Sequence, residues 1–262
     1  MIDIHSHILP GVDDGAYEME ESVDMVTMAA EGGVKYIVAT PHCNIPGLYD
    51  NYVDDEFLEH FYDLKRVVKA MGIPIQVLGG MEVFATPELP RLLQDKRVLT
   101  LNGTRYFLVE FAFDEEPDFC DEILEKTVRL GYIPVIAHPE RYYFVQDRPQ
   151  LVEKWYRRGY GIQVNKGSIL GRFGRSVMYT VDQLLQHKVV TCVGSDAHSS
   201  YKRTPHMAEA AAYLTETYGE EYTNLLMTEN PYRILTGKSL MHQGIEKPSE
   251  RYDARDYRRD LV

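Results

Sequence analysis

The sequence predicts an α/β protein whose parallel strands close into a barrel, and three observations predict it. Short apolar runs alternate with helix-like stretches, the pattern of parallel strands joined by crossover helices. Residues of metal-ligand type recur where these runs end, and in a barrel the strand C-termini converge on one mouth. At 262 residues, 44% of them hydrophobic, the chain matches the length such barrels reach as one domain and carries enough apolar side chain for a sizeable core.

The elements follow in order. Met1-Ile-Asp-Ile has the β-branched, apolar character of a buried strand. Further strands are expected at 34–39, 75–78, 106–110, 133–137, 161–164 and 189–193, with Pro134 weakening its own run because a central strand normally needs the amide. Helices are expected between them at 20–31, 54–71, 119–130, 151–158 and 177–187. Beyond the last strand, 208–218 and 220–227 read as helical, and Asn230-Pro231 marks another helix start. Residues 1–237 are expected to form the barrel, with a polar, charged tail over 238–262.

His5 and His7 stand two apart at the first strand, so their side chains point to one face and make half of a metal site. A lone histidine pair is more often a pair of satisfied core residues. Here His42, Glu82, Glu110, His138 and Asp196 close or follow the next strands, and six separated segments supply one cluster. The chain therefore reads as a metal-dependent hydrolase, with a nitrogen and oxygen donor set suited to manganese, iron, zinc or cobalt.

The net charge of −12 argues against a nucleic-acid surface, although divalent ions among the acids would offset part of it locally. No run approaches the roughly 18 apolar residues of a membrane span, so no membrane insertion is expected. Met1 leads into a strand rather than a secretory leader, which points to the cytoplasm. Cys43, Cys120 and Cys192, odd in number and without a C-x-x-C, read as free thiols. His42-Cys43 has the start of the His-Cys-x5-Arg loop of cysteine-dependent phosphatases, but Tyr49 stands where the Arg belongs, so a thiolate mechanism has little support.

With Ala-Thr-Pro-His42, Gly-Gly-Met-Glu82, Leu-Val-Glu110, Ala-His138-Pro-Glu-Arg141 and Gly-Ser-Asp196-Ala-His198, residues 1 to about 236 resemble the PHP (polymerase and histidinol phosphatase) superfamily. His-Ser-His-Ile-x-Pro-x-Val-Asp-Asp-Gly, His-Pro-Glu-Arg-Tyr and Arg-x-Pro-His-Met resemble its capsule-operon tyrosine phosphatase branch (CpsB/YwqE type). The resemblance implies a distorted (β/α)7 barrel, the PHP fold, with three divalent metal ions, manganese first. One would be held by His5, His7, Glu82 and Asp196, a second by Glu82, Glu110 and His138, and a third by Asp14, His42 and His198. The nucleophile would be a metal-bound hydroxide. Arg141 and Arg203 follow His138 and His198, where guanidinium forks can bind phosphate; otherwise they would be rim salt bridges. The implied substrate is a phosphotyrosine protein, the Tyr-rich tail of a cognate bacterial tyrosine kinase controlling capsular or exopolysaccharide export. No general acid is assigned, because a phenolate with a pKa of about 10 leaves without one more readily than an alkoxide.

The alternatives are a histidinol phosphatase or other small phosphomonoesterase, a non-catalytic kinase-binding module, and a PHP nuclease. Carboxylates at Asp14 and Glu110, where histidinol phosphatases often carry His, favour the tyrosine phosphatase branch. A homo-oligomer is implied too, with the helix at 20–31 as candidate contact, although its Met and Val positions equally suit the core. Asp13 reads either as a residue orienting its neighbours or as a solvated turn acid; His60, His187 and His242 as surface or capping residues; His206 as lining an entrance or starting a helix. Tyr252 and Tyr257 lie in the tail, open to packing, phosphorylation or a visit to the site.

Overall fold

The computed structural model describes residues 1–245. Nine parallel strands build it: β1 (Ile2–Ser6), β2 (Tyr36–Ala39), β3 (His42–Cys43), β4 (Gln76–Gly79), β5 (Glu82–Phe84), β6 (Tyr106–Glu110), β7 (Ile133–Ala137), β8 (Gly161–Asn165) and β9 (Cys192–Gly194). They pair as β1-β2-β4 and as β3-β5-β6-β7-β8-β9. β2 and β3 are one stave interrupted at Thr40-Pro41, and β4 and β5 are another interrupted at Gly80-Met81. Each crosses from the first sheet to the second at its break. β1 closes onto the segment after β9 through a parallel bridge, Ser6 to Ala197. The result is seven staves in a distorted barrel.

Around them run α1 (Met19–Glu31), α2 (Asp55–Ala70), α3 (Leu89–Gln94), α4 (Pro117–Arg129), α5 (Tyr143–Asp147), α6 (Val152–Arg157), α7 (Lys166–Ile169) and α8 (Arg175–Gln186). After β9 come α9 (Ala208–Tyr218) and α10 (Glu220–Asn224), then α11 (Asn230–Leu235). A π-helical turn, Leu225–Glu229, joins the last two, so the helix expected over 220–227 changes winding midway. No helix among the described residues is long and apolar enough to cross a membrane.

Alternation along the strands divides the apolar side chains between two clusters. Ile37, Ala39, Phe107, Val109, Ile136 and Ile162 pack in the larger one with helical residues such as Leu64, Ile123 and Leu184. Ile4, Val38, Tyr106, Leu108 and Val135 pack in the other with Ile234 and Leu235 of α11. The strand residues of the two sets alternate, as opposite faces of a pleated sheet must. A bulge sets Asp3 to Ser6 of β1 against Ile37 to Ala39 of β2, so Ile4 can join the inner cluster while His5 enters the polar site above it.

One strand bound needs correction, and two open readings gain a physical basis. Pro134 lies in a central strand, but Ile133 spends its amide on Arg105 of the β6 side, and the β8 ladder begins only at Val135 opposite Gly161. The missing N–H thus falls beyond the end of that ladder. The strand expected from Val189 begins at Cys192, because the Thr191 hydroxyl takes the Ile162 amide at 2.7 Å in place of a backbone partner. In α1, Val23, Met25 and Val26 are buried, so these apolar positions pack in the core, the alternative the sequence left open for them.

The start of the expected tail is docked. Tyr106 donates its hydroxyl to the Lys238 carbonyl at 2.8 Å, Tyr156 to that of Gln243 at 2.9 Å, and Asn230 its amide to that of Met241 at 3.0 Å. Tyr252 and Tyr257 lie outside the described residues.

Candidate metal centre

His5 and His7 come from the end of β1, His42 from β3, Glu82 from β5, Glu110 from β6, His138 from just after β7, and Asp196 and His198 from after β9. Asp14 enters from the loop after β1. Four groups have ligand atoms close enough to share a cation: His7, Asp14, His42 and His198; His5, His7 and Asp196; His5, Glu82 and His138; His42, Glu82 and Glu110. Their union is the nine residues expected from sequence. The sharing differs from the expected partition: His7 also stands with Asp14, His42 and His198, and Glu110 lies nearer His42 (3.0 Å) than His138 (3.8 Å).

Glu82 is the hub. One carboxylate oxygen is 2.8 Å from His138 Nε2; the other is 3.2 Å from His5 Nε2, 3.2 Å from His7 Nε2 and 3.1 Å from His42 Nδ1. That second oxygen is buried without a hydrogen bond. Burial opposes the Glu82 charge, but the surrounding His5 and His42 hold its carboxyl well below the usual range.

The fit to a cation follows from how the imidazoles are protonated. The Asp196 carboxylate can only accept, so Asn165 gives it an N–H, at 2.5 Å. The Asn165 oxygen then accepts from Gln163 Nε2 at 2.8 Å, which leaves the Gln163 oxygen to accept from His5 Nδ1 at 2.8 Å. Asp13 likewise accepts from His7 Nδ1 at 2.7 Å. Both Nδ1 atoms therefore carry a proton, and once the rings are neutral the two Nε2 lone pairs face each other 3.2 Å apart. Bare lone pairs at that separation repel. A cation between them turns the repulsion into coordination, since two nitrogens each about 2.1 Å from a metal lie roughly 3.0 to 3.4 Å apart. The residues fit a divalent metal.

Backbone strain marks the same place. His138 and Asp196 have φ of 34° and 50°, left-handed conformations that cost a non-glycine residue on the order of 1 to 3 kcal/mol. Both follow strand ends, where the turn aims the side chain back over the barrel mouth.

The two arginines flank this cluster. Arg203 Nη2 is 2.5 Å and Arg141 Nη1 is 3.7 Å from the same Asp196 oxygen. The Arg141 guanidinium lies 4.3 Å from the Phe113 ring centre and 4.8 Å from that of Phe173, and Arg203 lies 5.6 Å from Phe173. Buried Glu140 anchors the turn that presents Arg141, accepting from the Asn165 amide at 2.9 Å and Ser168 Oγ at 2.6 Å.

Against known families, residues 1–236 match the model described as capsular polysaccharide synthesis, CpsB/CapC. The chain belongs to the CpsB/CapC family. The tyrosine-protein phosphatase YwqE of Bacillus subtilis is 36% identical over 93% of this chain and 94% of its own length. The tyrosine-protein phosphatase CpsB of Streptococcus pneumoniae is 30% identical over 90% and 98%. A structure from work on YwqE and the pneumococcal CpsB, described there as metal-dependent tyrosine phosphatases, superposes with a TM-score of 0.87 at 35% identity, covering 96% of this chain and all of the other. A Listeria monocytogenes lactonase shares the fold alone, with a TM-score of 0.58 at 14% identity.

Within this CpsB/CapC chain, several residues around the site carry no mark in the sequence, and one open reading, that of Asp13, is decided by geometry. Gln163 and Asn165 look like ordinary strand polars, and only the direction of their hydrogen bonds reveals their part. Asp13 proves to be an orienting residue, its side chain shielded from solvent and accepting also from the amides of His42 (2.9 Å) and Gly15 (3.0 Å). Its signal was adjacency to Asp14. Phe113, Phe173 and Tyr49, whose ring stacks on His42 at 5.8 Å, had none. Cys43 is fully buried, and burial pushes its thiol up to about 12, so it is no nucleophile. Cys120 and Cys192 are likewise free and buried. His187 caps the C-terminal end of α8, His242 packs edge-on against Tyr156 at 4.6 Å, and His60 is half-buried on α2. His206 is exposed and lines a cavity beside the arginines.

Proposed function

We propose that this chain is a metal-dependent protein-tyrosine phosphatase of capsular or exopolysaccharide synthesis, with the nine clustered side chains as ligands of three divalent ions. Manganese is the first candidate; iron, zinc and cobalt suit the same donors. The observation that carries the reading is the pair of imidazole Nε2 atoms 3.2 Å apart beside an unpartnered Glu82 oxygen, with two guanidinium groups at the rim.

Bound divalent cations would supply Lewis acidity, acidifying water and neutralising phosphoryl charge. The chain's own groups do the rest. Asp13 and Gln163 hold the His7 and His5 rings in the tautomer that presents Nε2. Arg141 and Arg203 offer N–H forks to the phosphoryl oxygens, and Phe113 and Phe173 brace those forks and give an aromatic leaving group an apolar wall. Tyr17, Leu48 and Tyr201 are 83%, 73% and 82% exposed on loops that follow β1, β3 and β9, and Tyr143, 59% exposed, opens α5 after β7. Apolar groups ringing the open mouth favour a peptide over a small phosphomonoester.

The substrate is then the phosphorylated, Tyr-rich tail of a cognate bacterial tyrosine kinase, met in the cytoplasm by a homo-oligomer of this chain. Parallel turnover of a phosphotyrosine peptide and of histidinol phosphate tests the assignment. A kcat/KM at least tenfold higher for the peptide is expected, and a preference for histidinol phosphate would refute it.

A further inference from the structure

Beside the metal centre, and sharing Arg203 and Phe173 with it, lies a cavity of about 670 Å³. Its charge opposes that of the chain: in a protein of net charge −12, the cavity gathers Lys166, Arg172, Lys202 and Arg203 against a single acid, Glu209. Arg172 is 3.6 Å from Glu209, and Arg203 is engaged by Asp196. Lys166 and Lys202 have no carboxylate within 4.0 Å among the described residues. Lys166 is the more telling, because it is only 6% exposed. Its ammonium gives hydrogen bonds to the His206 carbonyl at 2.8 Å and to Thr204 Oγ1 at 3.4 Å, both neutral acceptors, and a third N–H remains to give. Burial disfavours its charge and lowers its pKa to about 8. The Asp3 and Glu209 carboxylates favour its charge from beyond 4.0 Å but do not offset its burial, and an anion entering this cavity would supply a direct partner.

Gly167 shapes the wall. A Cβ there would come within 2.8 Å of the Phe173 ring, so only glycine lets that ring line the cavity while lying 4.8 Å from the Arg141 guanidinium. An extended peptide advances about 3.3 Å per residue. With one phosphotyrosine at the arginines, a side chain one to three positions away lies about 3 to 10 Å along the chain, within range of a cavity that begins at Arg203.

We infer that this cavity is a specificity subsite for a second anionic group on the substrate peptide, the carboxylate of Asp or Glu or the phosphate of another phosphotyrosine, recognised by Lys166 and Lys202. The inference rests on the phosphatase reading for its substrate class. It gives a clustered, multiply phosphorylated or acidic tyrosine segment priority over an isolated phosphotyrosine.

The test uses three phosphotyrosine peptides with neutral, glutamate-containing or phosphotyrosine-containing flanks, each also made as a non-hydrolysable phosphonate. With the manganese-loaded full chain, at least one anionic flank lowers KM by about tenfold at unchanged kcat, the worth of a charge-assisted hydrogen bond. Lys202→Ala and Lys166→Met each remove most of that gain while the neutral peptide keeps its kcat and KM within about twofold. Lys202 is exposed, so its variant tests the subsite without disturbing the core. Equal KM for all three peptides, or a preference that survives both substitutions, overturns the inference. Should no peptide be turned over while the anionic phosphonates still bind more tightly through Lys166 and Lys202, the phosphatase reading falls and the subsite stands.

Discussion

Replacing Asp13 by Asn isolates the orientation of His7 from its identity as a ligand. The Asp13 carboxylate accepts three N–H groups, from His7 Nδ1 at 2.7 Å, the His42 amide at 2.9 Å and the Gly15 amide at 3.0 Å. Burial opposes its charge, but His7 and the His42 amide hold the carboxyl down to about 2, so it is ionised at any working pH. An Asn of the same shape keeps at best the two bonds at one oxygen, turns an N–H toward the Gly15 amide, and removes the charge that fixes the His7 tautomer. Loss of a carboxylate behind a ligating His typically costs 10 to 100-fold in metal affinity, about 1.4 to 2.7 kcal/mol. The assay is phosphotyrosine-peptide hydrolysis against free manganese set by a chelator buffer. The half-activating concentration is expected to rise 10 to 100-fold, with most of kcat recovered at saturating metal. A shift under about threefold would show that Asp13 does not orient the site.

Three more outcomes are expected. Burial opposes protonation of His5, His7 and His42, but their carboxylates outweigh it and raise each pKa, that of His7 well above its usual value. Their protonation stabilises the metal-free fold below about pH 6.5, and that contribution is lost as pH rises through the raised values. Metal needs neutral rings, so manganese should raise Tm more at pH 8.5 than at pH 6.5; an equal rise at both would contradict this. Gly15→Ala would drive a methyl to 2.5 Å from His7 Cβ and 2.9 Å from Asp13 Oδ1, so it should weaken manganese binding at least tenfold in calorimetry, and wild-type affinity would exclude the contact. Cys43→Ala should keep kcat within about twofold, and a dead but folded variant would restore thiolate catalysis to consideration.

Much of this molecule is legible in its sequence for a physical reason. Ligation needs particular side chains, and His5, His7, His42, Glu82, Glu110, His138, Asp196 and His198 sit where a parallel barrel gathers its strand ends. The breaks at Thr40-Pro41 and Gly80-Met81 are less legible, because two short strands on either side of a displacement read as one apolar run and a stray ligand. The left-handed turns at His138 and Asp196 are barely legible, since Asp and His adopt a positive φ more often than most residue types but still only occasionally. Gln163, Asn165 and Asp13 act through the direction of their hydrogen bonds, which depends on partners 31 to 158 residues away for the first two and on a local turn for the third. The cavity beside Phe173 joins α7 to the loop after β9, so its charge emerges only on folding.

Metal binding by the clustered side chains and hydrolysis of phosphotyrosine by that assembly stand or fall together. That link is tested most directly by stripping the purified protein with chelator, measuring hydrolysis of a phosphotyrosine peptide, adding manganese back, and counting bound metal beside a folded His138→Ala variant. The stripped protein should be inactive, activity should return in step with bound manganese, and the variant should lose at least about a hundredfold. Full activity after complete metal removal, or undiminished turnover by His138→Ala, would contradict it.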